Sequence, residues 1–246
     1  SWVKCWGNNN MGQLGDNTIS NRATPVDVVG LTSGVAAIDT GCVHTCALTT
    51  GGGAKCWGDN IFGQLGDNSA EQYSSTPVNV VGLTSGVAAI SAGGSHTCAL
   101  TTAGGVKCWG ANTLGQLGDG TTTSRAIAVD VVGLSSGVIE ISAGTENGFN
   151  LDYNYGFTCA LTTAGGVKCW GDNSAGQLGD GTTISRHTPV DVVGLSSGVV
   201  AISAGDAHTC ALTTAGEVKC WGYNGNGQIG DNTTTQRNTP VDVVWP

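Results

Sequence analysis

The chain's 246 residues carry a net charge of −9, with charged side chains at only 11% of positions, the wrong sign for general binding of nucleic acid or of an anionic membrane surface. Its 41 glycines, plentiful Val, Ile, Thr and Trp, and sparse Glu, Lys and Met argue against a helical protein and for an all-β chain dense in turns. No apolar run approaches the ~20 residues of a membrane-spanning helix, and the start, Ser1 with no initiator Met and no signal peptide, reads as that of a processed or partial product.

In chain order, Lys4-Cys5-Trp6-Gly7 is followed by a polar turn, Gly-Gln-Leu-Gly-Asp, a Thr-rich stretch and Pro-Val-Asp-Val-Val. The same phrase returns around Trp57, Trp109, Trp170 and Trp221, in steps of 51, 52, 61 and 51 residues. A period near 50 made of strand-like segments marks an array in which each unit buries its apolar face on the next. One unit holds four predicted strands, at 86–91, 96–101 and 106–110, with the fourth shown most clearly at 189–193, where Pro stands at the entrance. The chain opens on a third strand and ends after a fourth, so 18 strands are expected. They form one domain of a partial unit, 1–33, and full units 34–85, 86–136, 137–197 and 198–246. Four-stranded units repeated in this way predict a β-propeller with four full blades and one partial blade.

Four units set two cysteines ten residues apart about a Gly turn: Cys46 and Cys56, Cys98 and Cys108, Cys159 and Cys169, Cys210 and Cys220. Folded as antiparallel hairpins, these face each other with α-carbons about 4.5 Å apart, within the range of a disulfide. Repeated pairable geometry favours an oxidising compartment, whereas the close Cys-x-x-Cys pairs of a metal site are missing. Cys5 and Cys42 remain, each odd in its own unit; the two readings are a bond between them and an intermolecular bond.

The phrase Trp-Gly-x-Asn-x-x-Gly-Gln-Leu-Gly-Asp-Gly-Thr, then Pro-Val, then Ser-Ala-Gly-x-x-His-Thr-Cys-Ala-Leu, resembles the repeat of the regulator of chromosome condensation family, in a form suggesting a secreted bacterial protein. The resemblance runs along essentially the whole chain. It implies a β-propeller, commonly of seven blades, that serves mainly as a platform for protein partners. Four and a half blades fall short of that ring, so closure, a longer parent chain or strands from another chain are the alternatives. The shared motif is architectural and leaves function open.

Residues present in every unit are expected to be structural. His44, His96 and His208, with Phe157 in the same place in the fourth unit, read as locked inner-strand side chains rather than ligands to an ion on the axis. Asp16, Asp67, Asp119, Asp180 and Asp231 read as turn-stabilising or ion-paired, with an Arg six residues on in four units and Tyr73 in the other. No catalytic set, phosphate loop, cofactor motif or metal site stands outside the repeat.

The clear interruption is the fourth unit, where the 61-residue step locates about ten extra residues. Glu146, Phe149, Asn150, Asp152, Tyr153, Asn154 and Tyr155 give this segment the aromatic and Asn-rich composition of adaptable binding loops. Tyr73, in the irregular stretch 70–73, and Trp2 and Trp245, which replace glycines at the two ends, complete the partner-binding candidates; the end tryptophans are expected to pack on each other or on a neighbour. The reading is a non-catalytic, extracellular or cell-surface (or periplasmic) propeller that binds a protein partner, with no nucleic acid and no membrane insertion. The alternative is a self-assembling structural protein joined through its incomplete blade. A guanine-nucleotide exchange factor-like regulator is the distant third.

Overall fold

A computed structural model describes residues 2–145 and 156–245. It contains 18 strands and no helix among these residues. β1 (Lys4–Gly7) and β2 (Arg22–Asp27) pair as a two-stranded sheet. Four four-stranded antiparallel sheets follow. The first comprises β3 (Val35–Thr40), β4 (His44–Thr49), β5 (Ala54–Asp59) and β6 (Tyr73–Asn79). The second comprises β7 (Val87–Ala92), β8 (His96–Thr101), β9 (Val106–Gly110) and β10 (Arg125–Asp130). The third comprises β11 (Val138–Thr145), β12 (Gly156–Thr162), β13 (Val167–Gly171) and β14 (Arg186–Asp191). The last comprises β15 (Val199–Ala204), β16 (His208–Thr213), β17 (Val218–Gly222) and β18 (Arg237–Asp242).

Strands run in chain order across each sheet, and the first strands pack on one another in the sequence β3, β7, β11, β15. They therefore line a common axis, with the fourth strands outermost. No comparably packed strand pair returns from the last sheet to β1 and β2 among the described residues, so the blades form an arc. The hydrophobic core is divided into layers between neighbouring blades. One such layer joins Cys46, Leu48 and Val80 of one blade to Ile90, Ala99 and Trp109 of the next.

The fourth strands begin earlier than the sequence pattern suggests. β14 spans Arg186–Asp191 rather than 189–193, and Pro189 lies inside it. An outermost strand tolerates this because the missing N–H faces away from the ladder. The next residue, Val192, has left the strand to enter the core (2% exposed). The four hairpin disulfides form as the ten-residue spacing requires, each with α-carbons 4.1 Å apart.

In two cases one of the alternatives is not what the structure holds. Cys5 and Cys42 are not bonded to each other. In every other third strand the cysteine faces a second-strand cysteine, as Cys56 faces Cys46, but β1 is paired only with β2. Cys42 sits in the β3–β4 turn, and the two line a common cleft of about 440 Å³ without joining. Trp2 and Trp245 do not pack on each other: they remain 73% and 70% exposed.

Candidate functional site

Most polar residues of the repeat are committed to holding its own loops. In the first unit the Asn9 side-chain amide donates to Asp16 Oδ1 (3.1 Å) and to the carbonyls of Thr18 and Ser20, while its oxygen accepts the Leu14 N–H (2.9 Å). Asp16 Oδ1 accepts the N–H and hydroxyl of Thr18, and Oδ2 accepts Arg22 Nε at 2.7 Å. These bonds outweigh the desolvation that raises it and hold the Asp16 carboxyl below the usual range. Asn112, Asn173 and Asn224 organise the same network around Asp119, Asp180 and Asp231. The turn after each Asp needs a positive φ, supplied by Gly120 and Gly181 in two units and by Asn17, Asn68 and Asn232 in the others.

The histidines are likewise committed to packing. Thr97 Oγ1 donates to the Gln64 carbonyl, so its oxygen accepts the Nε2–H of His44 (2.8 Å); His96 makes the same bond to Thr158 (2.9 Å). Both rings are buried, which pushes His44 down to about 4 and His96 to about 3 and keeps them neutral. They do not meet on the axis: each crosses to the next blade. His208, on the last blade, instead places Nδ1 3.0 Å from the Asp206 carbonyl.

The residues that break the repeat gather elsewhere, at one mouth of the axis. The inner strands are tied blade to blade there: Asp39 Oδ2 accepts the Ala92 N–H, Ser91 Oγ that of Ala143 and Ser142 Oγ that of Ala204. Above these bonds opens a polar cavity of about 230 Å³ lined by residues of four blades, among them Asp39, Ser91, Ser142, Thr145 and Asp206. Thr145 Oγ1 donates to Asp206 Oδ1 (2.5 Å), and backbone bonds from Thr145 N to Gly205 O and from Ala207 N to Thr145 O bridge the two blades. Burial raises the Cys42 thiol, which the Thr145 hydroxyl lowers and the Asp206 charge raises further. Thr145 and Asp206 therefore bridge two blades at this mouth, which Cys42, in the β3–β4 turn of the first blade, also borders. The chain leaves the sheet at Thr145 and returns at Gly156, so residues 146–155 are tethered at this mouth.

Of the sequence-predicted binding residues, Glu146, Phe149, Asn150, Asp152, Tyr153, Asn154 and Tyr155 lie outside the described residues. Tyr73 is 46% exposed at the start of outermost β6, on the mouth side, because it pairs with Asp59 where Gly58 pairs with His44. Trp2 precedes β1 and Trp245 follows β18, both on the opposite face. The arginine position is also corrected. Arg125 faces Gly110, and the residue facing the equivalent Gly58 is Ser74, not Tyr73. One extra loop residue shifts the count. Sequence reasoning missed Thr145 and Asp206, whose only signal was that Asp206 and Cys42 occupy a position filled by Gly94 in another unit.

Blades of four consecutive antiparallel strands, stapled by hairpin disulfides and stacked through their inner strands, define a repeat-built β-propeller. The Regulator of chromosome condensation (RCC1) repeat matches residues 5–48, 56–100 and 164–212, more than half of the chain, and a second profile of the same repeat matches 35–64, 87–116 and 199–228. The chain belongs to that family. It is 30% identical over 247 residues to the ultraviolet-B receptor UVR8 of Arabidopsis thaliana, covering 99% of this chain and 54% of the receptor. It is 33% identical over 242 residues to the probable E3 ubiquitin-protein ligase HERC6 of Homo sapiens, covering 95% of this chain and 23% of the ligase. The chain thus spans about half, or much less, of these relatives' lengths. Among solved structures, human WBSCR16 superposes with a TM-score of 0.80 at 24% identity, over 98% of this chain and 62% of that one. Yeast RCC1 (Prp20), solved bound to Kap60, superposes with a TM-score of 0.81 at 22% identity, over 99% and 57%. Both likenesses concern the fold.

Proposed function

We propose that this chain is a non-catalytic, protein-binding propeller module of an oxidising, extracellular or cell-surface setting, and that its partner docks over the axial mouth. The observation that carries the reading is the convergence there of the departures from the repeat: Cys42, Asp206 and the attachment points of residues 146–155. Repeated residues are already engaged with one another, whereas a segment holding Phe149, Tyr153 and Tyr155 offers large contact area at low entropic cost. Four disulfides favour the oxidising setting. Yeast Prp20 has been studied for binding to Gsp1p and histones, which gives a precedent for this fold as a protein platform.

The test is to trim residues 146–155 to the length of the turns in neighbouring blades. The trimmed protein is expected to keep its Tm within a few degrees, since surface changes usually cost less than ~0.5 kcal/mol. It should lose the partner captured by the intact protein from its own extracellular fraction. Tyr153→Ala and Tyr155→Ala should each weaken capture by roughly 1–2 kcal/mol. Full capture by the trimmed protein would remove the mouth from consideration.

A further inference from the structure

The charges of this molecule are sorted by face. On the side away from the axial mouth, lysines and aspartates neutralise one another: Lys4 with Asp27, Lys107 with Asp130, Lys168 with Asp191 and Lys219 with Asp242. On the mouth side each arginine is engaged by the aspartate of its own loop. Asp39, Asp59, Asp67, Glu71, Asp172 and Asp206 lie on that same side and form no ion pair among the described residues. The surplus negative charge is thus concentrated on the mouth face, which favours a cationic partner.

One loop on this face is built to hold a guanidinium and lacks its own. In four loops the arginine Nε lies 2.6–3.1 Å from the aspartate Oδ2, and a terminal nitrogen lies 3.3–3.5 Å from a threonine hydroxyl, as Arg22 does with Asp16 and Thr18. The β5–β6 loop keeps the other parts. Asn60 and the N–H and hydroxyl of Ser69 donate to Asp67 Oδ1, while Oδ2 has no partner among the described residues. Ser74 stands in the arginine register and turns its hydroxyl to the Thr76 carbonyl, away from the seat. Asn60, Ser69 and the exposed Glu71 line a crevice of about 390 Å³ that reaches Ser124 and Ala126 of the next blade. The chain enters this wall from Asp59, which is 4% exposed and whose Oδ1 has no partner in hydrogen-bond geometry. In the third four-stranded blade the hydroxyls of Ser174 and Ser185 donate to the equivalent Asp172, whereas Ile61 and Tyr73 hold those places beside Asp59. Burial raises the Asp59 carboxyl, an effect that Gln64 and the nearby N–H groups only partly offset, so this wall also gains from a cation in front of it.

We propose that the β5–β6 loop seats an arginine side chain presented by a protein partner. Its guanidinium takes the place filled from within in the other loops, on Asp67 Oδ2 and the Ser69 hydroxyl, with Glu71 at the entrance. The arginines of the four filled loops are 34–36% exposed, so the place is reached from solvent. Arginine is favoured over lysine because those loops engage Nε and a terminal nitrogen together, which an ammonium does not reproduce. The seat has neighbours on both sides: the Asn17 N–H donates to Ser75 and the Asn68 N–H to Ala126. The proposal rests on the reading that a partner docks on the mouth face, and it adds that partner's chemistry.

Amide resonances of the whole chain test it, because the Ser69 N–H donates to the carboxylate that receives the guanidinium. The probes are acetyl-Gly-Arg-Gly-amide and the same peptide with lysine or with neutral citrulline in the middle. The arginine peptide should shift the Ser69 amide saturably, with a Kd of about 1–10 mM. The lysine peptide should bind more weakly and the citrulline peptide should give no shift. The amides of Thr18, Thr121, Thr182 and Thr233 should stay still, since their seats are filled. Ser74→Arg supplies the guanidinium from within and should abolish the response. Glu71→Gln, whose carbonyl alone holds the loop, should weaken it about twofold and decides the matter if Ser74→Arg does not fold. A Ser69 amide that does not move, an equal response to citrulline, or a response unchanged in both variants would overturn the proposal. So would full capture of the partner by Ser74→Arg when trimming residues 146–155 abolishes capture, a result that leaves the mouth reading standing. Full capture by the trimmed protein removes the mouth reading instead and leaves the peptide titration to decide the seat.

Discussion

In four blades an arginine at the start of the outer strand closes the loop by pairing with the Asp of Gly-Asp, as Arg22 with Asp16 and Arg237 with Asp231. The carboxylates of these pairs are only 7–8% exposed, so the contacts are better shielded than ordinary surface ion pairs. The remaining blade has Ser74 in that register, and its hydroxyl turns back to the Thr76 carbonyl. Asp67 keeps its bonds to Asn60 and Ser69 but has no arginine. Ser74→Arg is expected to restore the pair and stabilise the protein by about 0.5–1 kcal/mol, read as a rise in Tm of about 1–4 °C. A lowered Tm would mean that the extra residue of this loop has changed its path. The arginine-to-aspartate pairing was legible in the sequence as a constant spacing of six. The failure at Tyr73 has a physical cause: spacing counts residues along the chain, whereas the pair depends on cross-strand register, which one added loop residue displaces.

At the scale of the strand, β4 and β8 each start on a buried neutral histidine that bonds across to the next blade. In the unfolded chain these side chains titrate near 6.5, whereas in the fold they stay neutral down to about 4 and about 3. Their contribution is therefore fully present above pH 6.5 and is lost as pH falls below it, because only the unfolded chain takes up the protons. Each costs up to about 1.4 kcal/mol per pH unit over that window. The loop carboxylates, held below their usual range, add their own loss only at pH values near and below 4. Denaturant unfolding at pH 7, 6 and 5 should show stability falling steadily. His96→Phe should flatten that dependence, since Phe157 already fills the equivalent place in β12 with full burial. An unchanged slope in the variant would show that other groups set the acid sensitivity. That these histidines are structural was legible from their recurrence. The mouth was not, because Thr145 and Asp206 lie far apart in sequence and meet only through the rotation of one blade against the next.

For the whole molecule, the consequence of the repeat is that stability is local. Each disulfide spans ten residues within one hairpin, and each core layer joins only adjacent blades. A bridge of this loop size contributes roughly 2–3 kcal/mol in the chain-entropy model. The blades are not equally covered, however. Cys98 and Cys108 are wholly buried between neighbours, whereas β16 of the last blade has several residues partly open. Replacing Cys98 and Cys108 by Ala should therefore cost more than replacing Cys210 and Cys220, because the first pair also leaves a cavity in a closed layer. The double-pair variant should show nearly additive losses, since the two bridges lie in blades that are not neighbours and couple chiefly through the blade between them. Hydrogen exchange adds a directional readout. Opening the end bridge should release β16, β17 and β18 while β8 and β9 stay protected, whereas opening the interior bridge should loosen the blades on both sides. Equal loss of protection everywhere from the end bridge alone would show a single cooperative unit, and the arc would then have to be held together by more than its nearest-neighbour contacts.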